Sequence, residues 1–246
     1  MDSIDKEFLE QTKTKNLEIS AHKKGLPQPP LEEAIGLQAA VPLPSPETLD
    51  LGRSMDVRSA IEHRSSIREY SDQPLTLEEL TYLLWCTQGI KKILPDKTTF
   101  RNVPSAGSSH AFETYLLVNR VTGLEPGLYR YLALSHSLAL SDNSPAIADQ
   151  IIQAGTYNQF IKTSAVTFLW VAVPYRLTWK FQTRGLRYLF LDAGHVCQNL
   201  YLAAESIQCG VCAVNAFDDD LIDQALNLSS DQFVIYLAPL GKKIQS

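Results

Sequence analysis

The stretch His63-Arg64-Ser65-Ser66-Ile67-Arg68-Glu69-Tyr70 concentrates side chains that could hold an anion. In an extended conformation the period of two places Arg64, Ser66 and Arg68 on one side and Ser65, Ile67 and Glu69 on the other. One side then presents two planar guanidinium forks with a hydroxyl between them, a donor set matched to the oxygens of a phosphate. The same spacing also puts both arginines on one face of a helix, where a small basic face is ordinarily only solvated. Spacing alone leaves both readings open.

Further along, Pro104-Ser105-Ala106-Gly107-Ser108-Ser109 is a run of small residues immediately before an apolar segment. Small residues admit a ligand close to the backbone, and successive N–H groups in such a turn can surround an oxygen or a ring edge. A plain loop has the same composition. Cys209-Gly210-Val211-Cys212 is a lone C-x-x-C with no second pair to complete a zinc site, so no metal is expected. His195, on an expected helix, fits a hydrogen-bonded packing role better than that of a base.

Composition narrows the partners. The chain has 246 residues with 45% hydrophobic and 20% charged, enough for one medium domain with a sizeable core. Lys and Arg number 22 against 27 Asp and Glu, a net charge of -5, which argues against a general nucleic-acid binder. Four cysteines without a leading secretory segment predict a reducing, cytoplasmic location. The most apolar run, Ala165 to Val173, is about half a membrane span and ends at Pro174, so it reads as a buried strand with no membrane partner.

These residues need a scaffold, and the pattern supplies one. Residues 1 to about 24 predict a weak amphipathic helix (Ile4, Phe8, Leu9) that cannot build a core alone and must pack on something else, a second subunit among the candidates. Six prolines between residues 25 and 54 predict an extended, irregular arm. The division is therefore 1–53, helix and proline-rich arm, and 54–246, the folded domain. Ser54 is the expected cap of a short helix through His63, with Asp56 in its first turn. Thr76-Leu77-Glu78-Glu79 is a capping box for a helix that stops at Gly89, and residues 90 to 103 read as loop. Phe112–Asn119, Gly127–Tyr131 and His136–Leu140 predict an antiparallel meander. Short helical pieces follow from Pro145 to Phe160, then the central strand Ala165–Val173, a long core helix from about Gly185 to Gln208, a strand Val211–Asn215, an acidic-capped helix Asp218–Leu226 and a last strand Gln232–Leu240.

Taken together, Arg64-Ser65-Ser66-Ile67-Arg68, Gln73-Pro74-Leu75-Thr76, Pro104-Ser105-Ala106-Gly107 and Gly127-Leu128-Tyr129-Arg130-Tyr131 resemble the nitroreductase superfamily of flavin enzymes. Leu191-Asp192-Ala193-Gly194-His195, Gln198-Asn199-Leu200 and the approach Leu43-Pro44-Ser45-Pro46 are similar to its SagB-type branch, akin to thiazoline and oxazoline oxidases. The resemblance spans roughly residues 40 to 243. It implies an α+β fold, a mixed and mainly antiparallel sheet flanked by helices, in an intertwined homodimer with FMN at the interface. It also implies that NADH or NADPH reduces the FMN, which then reduces a small nitro or unsaturated substrate in a ping-pong cycle.

Carried over by position, the resemblance gives Arg64 and Ser66 phosphate and ribityl roles, Ser65 a backbone role, and Arg68 a place facing the ribityl chain and the pyrimidine edge of the flavin. Pro104, Ser105, Ala106 and Gly107 correspond to the loop at the flavin edge, supplied by the partner subunit. Asn215 and Ala216 stand where a backbone N–H meets the flavin, and Lys242 or Lys243 would complete the phosphate site. His110, Arg187 and Tyr188 are placed near the substrate. Lys180 keeps the lysine of a Lys-Tyr pair that azoline-oxidising relatives use for proton removal, but the tyrosine is Phe181, which has no titratable group. A stand-alone FMN-dependent NAD(P)H oxidoreductase is therefore expected. The rivals are an oxygen-using dehydrogenase or oxidase of the azoline-oxidase type, and a non-catalytic scaffold in a peptide-modifying complex.

Overall fold

In a computed structural model that describes residues 3–34, 40–51, 55–95 and 98–244, the chain builds one seven-stranded sheet with helices on both faces. One of its inner strands is β7 (Val166–Ala172), whose seven residues are all buried. Alternation explains this: Val166, Phe168, Trp170 and Ala172 enter the core on one face, Leu169 and Val171 the core on the other. β4 (Phe112–Val118) and β9 (Phe233–Lys242) flank it, both antiparallel. Outside β4 lie β5 (Gly127–Leu132) and β6 (Ser137–Asp142), completing the expected meander, and β8 (Cys209–Val211) lies outside β9.

The first face is covered by α3 (Leu77–Gln88) and α7 (Gly185–Ser206). The capping box is present in both directions, with Thr76 Oγ1 accepting from the Glu79 N–H and the Glu79 carboxylate accepting from the Thr76 N–H. α4 (Ile147–Ala154) and α8 (Asp219–Ala225) cover the second face through Ile147, Ile151 and Ile222, with Ile161 from α5 (Asn158–Thr163) between them. α8 is capped by Asp218, whose carboxylate accepts from the Leu221 N–H.

Three expectations change. α2 (Val57–His63) is capped by Asp56, whose Oδ1 accepts from the Ser59 N–H at 3.0 Å; Ser54 lies outside the described residues. Residues 90 to 103 are not all loop, because β2 (Ile90–Ile93) and β3 (Thr99–Arg101) pair as a separate two-stranded ribbon. The arm also contributes β1 (Ala40–Pro42), the edge strand beside β6. The named strand pairings are all antiparallel, and the parallel component is two isolated bridges, Ser66 with Val211 and Leu75 with Val121.

The arm is held by polar contacts along α6 (Tyr175–Phe181) and the start of α7. Trp179 Nε1 donates to the Leu26 carbonyl and its ring meets His22 at a tilt, 4.6 Å between centroids, and Arg176 Nε donates to the Pro30 carbonyl. α1 (Ser3–Gln11) buries no side chain. Its C-terminal end is met by arginines, with Arg187 donating to the Leu9 carbonyl and Arg184 to the Thr12 carbonyl. Cations are favourable there because the last helical carbonyls lack partners.

Candidate functional site

The chain leaves α2 at Arg64 in an extended conformation and runs beside β8, with the Ile67 N–H donating to the Val211 carbonyl at 2.9 Å. Glycine makes this approach possible: a Cβ on Gly210 would lie 2.5 Å from Ile67 Cβ. Tyr70, buried against Gly241, places its hydroxyl 2.9 Å from the carbonyls of both Ile67 and Pro239 and pins the far end.

On this ledge the Arg64 guanidinium lies over the Tyr201 ring of α7, 5.3 Å from its centroid. Ser66 Oγ is 3.1 Å from the Tyr201 hydroxyl, which also accepts from the Ala213 N–H at 2.8 Å. Arg68 Nη1 donates weakly to the Ser66 carbonyl at 3.4 Å. Its charge also reaches Cys212, whose thiol is pushed up by burial and drawn back by Arg68. Ser65, Ser66 and Arg68 are exposed and Arg64 is half-buried. Among the described residues, neither arginine has a carboxylate in ion-pair range. The structure thus brings Arg64, Ser66 and Arg68 together at one open edge.

Asn215 and Ala216 follow Ala213 along the same edge. Asn215 is exposed, and the Ala216 carbonyl accepts from the Thr156 N–H. Cys209 opens β8 and Cys212 follows its last residue, and both are buried.

The small-residue loop forms a second cluster. Gly107 is left-handed (φ 58°), and so are two residues that are not glycine, Ser108 (φ 51°) and His110 (φ 44°). Non-glycine residues held there are strained, and such strain collects at functional sites. Asp192 of α7 holds the turn: its carboxylate accepts from Ser105 Oγ at 2.6 Å and from the Ala106 N–H at 3.2 Å. Burial raises the Asp192 pKa, and these two bonds oppose the rise. Lys180 Nζ donates to the Gly107 carbonyl at 2.6 Å, and a Cβ on Gly107 would meet the Phe181 ring at 2.8 Å. Tyr188 belongs here too, edge-on to Phe181 at 5.0 Å between centroids.

Asp192 and Tyr201 stand nine residues apart on α7, about 14 Å of helical rise. Loop and ledge of one chain are therefore separate clusters, Lys180 and Tyr188 falling with the loop and Asn215 and Ala216 with the ledge.

Other expected site residues are engaged in contacts within the fold. His110 is buried, its Nε2 3.0 Å from the Thr99 carbonyl, and burial with Arg101 nearby lowers its pKa to about 3. Arg187 is committed to the arm, donating to Thr12 Oγ1 and the Leu9 carbonyl. Lys242 pairs with Glu79 and Lys243 with both carboxylate oxygens of Glu205. Both lysines line a cavity of about 700 Å³, whose walls do not include Arg64, Ser66 or Arg68. Sequence reasoning missed Tyr201 and the carboxylate role of Asp192. Asp192 lay inside a quoted motif, whereas a tyrosine on a helix gives no signal of its partners.

The nitroreductase family model matches residues 61–242, which includes the ledge, the loop and the sheet between them. The chain belongs to the nitroreductase family. A Methanocaldococcus jannaschii protein named as a nitroreductase is 34% identical over 183 residues, 74% of this chain and 88% of that one. A crystal structure of an Anabaena variabilis protein with the same family name is 27% identical, with a TM-score of 0.65 over 77% of this chain. This chain spans only 38% of that protein. A Desulfovibrio desulfuricans nitroreductase-type structure described as a complex with FMN shares the fold, at 18% identity and a TM-score of 0.53 over 78% of this chain and 88% of that one. The protein is thus an oxidoreductase of nitroreductase fold. No helix among its described residues is long and apolar enough to cross a membrane.

Proposed function

We propose that the protein is an FMN-dependent oxidoreductase of the SagB-type branch that takes reducing equivalents from NADH or NADPH and delivers them to a small nitro or unsaturated substrate. The observation that carries this reading is the ledge: two guanidiniums flanking a serine hydroxyl at an open edge, with no carboxylate of their own among the described residues. An exposed phosphate-sized anion satisfies that arrangement. FMN, which one structural relative carries, offers such a group. Bound there, it would supply the redox centre, accepting an electron pair from the nicotinamide and passing it on in a ping-pong cycle.

The chain's own residues then have distinct tasks. Arg64, Ser66 and the backbone at Ser65 hold the phosphate end, and Arg68 places a cation beside the ring system, where it favours the negative charge gained on reduction. Asn215 and Ala216 present backbone to the ring. Lys242 and Lys243, already paired, act at most by long-range charge.

Pro104 to Gly107, some 14 Å along α7 from Tyr201, would reach a flavin held by another subunit. That geometry supports a homodimer, as do Phe190 and Leu191, 60% and 61% exposed on the outer side of α7. Lys180 at the loop would orient an anionic group of the substrate. Phe181 beside it cannot carry a proton, which weighs against azoline-ring oxidation.

The test is the visible spectrum of the purified protein. A yellow preparation, or one that turns yellow with added FMN, bleached by NADH or NADPH without air, is expected. A colourless protein that takes up no FMN refutes the reading.

A further inference from the structure

We infer that Tyr201 is the positioning residue of the anion ledge. The inference rests on the FMN reading above. Tyr201 touches three residues on two separate chain segments at once. Its ring lies under the Arg64 guanidinium at 5.3 Å, its hydroxyl is 3.1 Å from Ser66 Oγ, and the same oxygen accepts from the Ala213 N–H at 2.8 Å. The Ala213 donor has a directional consequence. With one lone pair of the phenol occupied by that N–H, the hydroxyl proton is free to point at Ser66 Oγ. Ser66 Oγ then accepts from the tyrosine, and its own proton is directed outward, toward the position an anion would take between Arg64 and Arg68.

The ring does the corresponding work for Arg64. A guanidinium on a half-exposed chain samples many rotamers, and an aromatic face beneath it favours the one that keeps the cation above α7. Tyr201 thus converts two mobile surface groups into a preformed donor set, and it does so from a rigid 22-residue helix rather than from a loop. The role belongs to the phosphate end only: Asp192, which holds the small-residue loop, lies about 14 Å away along α7.

The experiment compares FMN with riboflavin, which lacks the phosphate, by flavin fluorescence titration of the full-length apoprotein. For Tyr201→Phe, which keeps the ring and removes the hydroxyl, FMN should bind about fivefold more weakly, the value of one hydrogen bond. For Tyr201→Leu, which also removes the ring, the loss should reach about thirtyfold. Riboflavin, which lacks the phosphate, should lose clearly less affinity than FMN in both variants, because the side chains that Tyr201 orients, Arg64 and Ser66, are those assigned to the phosphate end. Inorganic phosphate should compete with FMN on the wild type and lose that effect in Tyr201→Leu. Equal weakening of FMN and riboflavin would mean a merely structural residue and overturn the inference. So would unchanged FMN binding in both variants while wild type binds normally. A wild-type protein that binds neither flavin would remove the reading on which it rests, a different failure visible before any variant is made.

Discussion

Glu113→Gln replaces the inner carboxylate of a buried charged cluster. Arg176 and Glu113 pair with side chains only 2% and 5% exposed, and Glu33 of the arm joins them from a more open position at 32%. Arg101 and Arg130 are also buried, and burial lowers the Arg101 pKa to about 10 against the opposing pull of Glu113. Glutamine keeps the shape and one acceptor, so the loss is the charge. Removing one partner of a buried pair typically costs about 3–5 kcal/mol, because the other charge stays buried without compensation. Against a total stability of roughly 5–15 kcal/mol this is a large fraction.

For a chain of this length each kcal/mol moves the thermal midpoint by about 2–4 °C, so a drop of roughly 6–20 °C is expected. Glu33→Gln is the matched control. Its contact to Arg176 is 3.3 Å and partly solvated, in the class of exposed pairs worth about 0–1 kcal/mol. Thermal and urea unfolding followed by circular dichroism at pH 7 read both variants. The Glu33 N–H donates to Glu113 and Arg176 donates to the Pro30 carbonyl, so Glu113→Gln should also speed proteolytic cleavage within residues 26 to 33. Equal small shifts for the two variants would refute the claim that burial sets the cost.

Arg64→Ala and Arg68→Ala should each weaken FMN binding at least about tenfold, since each removes a charged contact, to the phosphate for Arg64 and to the ring edge for Arg68, in the class worth about 1.5–3 kcal/mol; unchanged affinity by equilibrium dialysis would discard the ledge as the flavin site. His110 contributes a pH dependence whose sign follows from its pKa, lowered from 6.5 to about 3. The unfolded chain binds this proton more readily, so the contribution is fully present above about pH 6.5 and is lost as pH falls toward 3. Urea midpoints measured from pH 7 to pH 4 should fall more steeply for wild type than for His110→Gln, and parallel curves would show that His110 does not titrate as a buried neutral ring.

Elements with a strong local signal were legible in the sequence. The capping box at Thr76 and Glu79, the all-apolar alternation of β7 and the long periodic α7 needed no tertiary information. The ribbon of β2 and β3 was hidden because Lys91, Lys92 and Ile93 are exposed and a register shift interrupts the pairing, so no alternation marks it. β1 is three exposed residues ending in proline, which reads as arm in any sequence. The ledge was legible as residue types, because alternation in an extended stretch predicted which side chains would share an edge. What held them was not, since a tyrosine on a helix 130-odd residues away leaves no mark on the local pattern. Arg187 shows the complementary limit: it donates to the Leu9 carbonyl and to Thr12 Oγ1, partners some 175 residues away that the local pattern around it does not reveal.

The distribution of cations divides those paired with carboxylates from those of the proposed ledge. Arg176, Lys242 and Lys243 each meet a carboxylate, and in each case the contact ties together segments distant in sequence. Those charges serve the fold. Arg64 and Arg68 instead meet an aromatic face and a backbone carbonyl, contacts that orient a guanidinium without neutralising it. The loop shows the same economy in backbone form. Ser108 and His110 hold left-handed conformations costing of order 1–3 kcal/mol each, kept in place by the Asp192 carboxylate and by Lys180 on Gly107. Oriented but unneutralised cations at one cluster, and strain maintained by a buried carboxylate at the other, are the features on which the proposal of two preformed ligand surfaces rests.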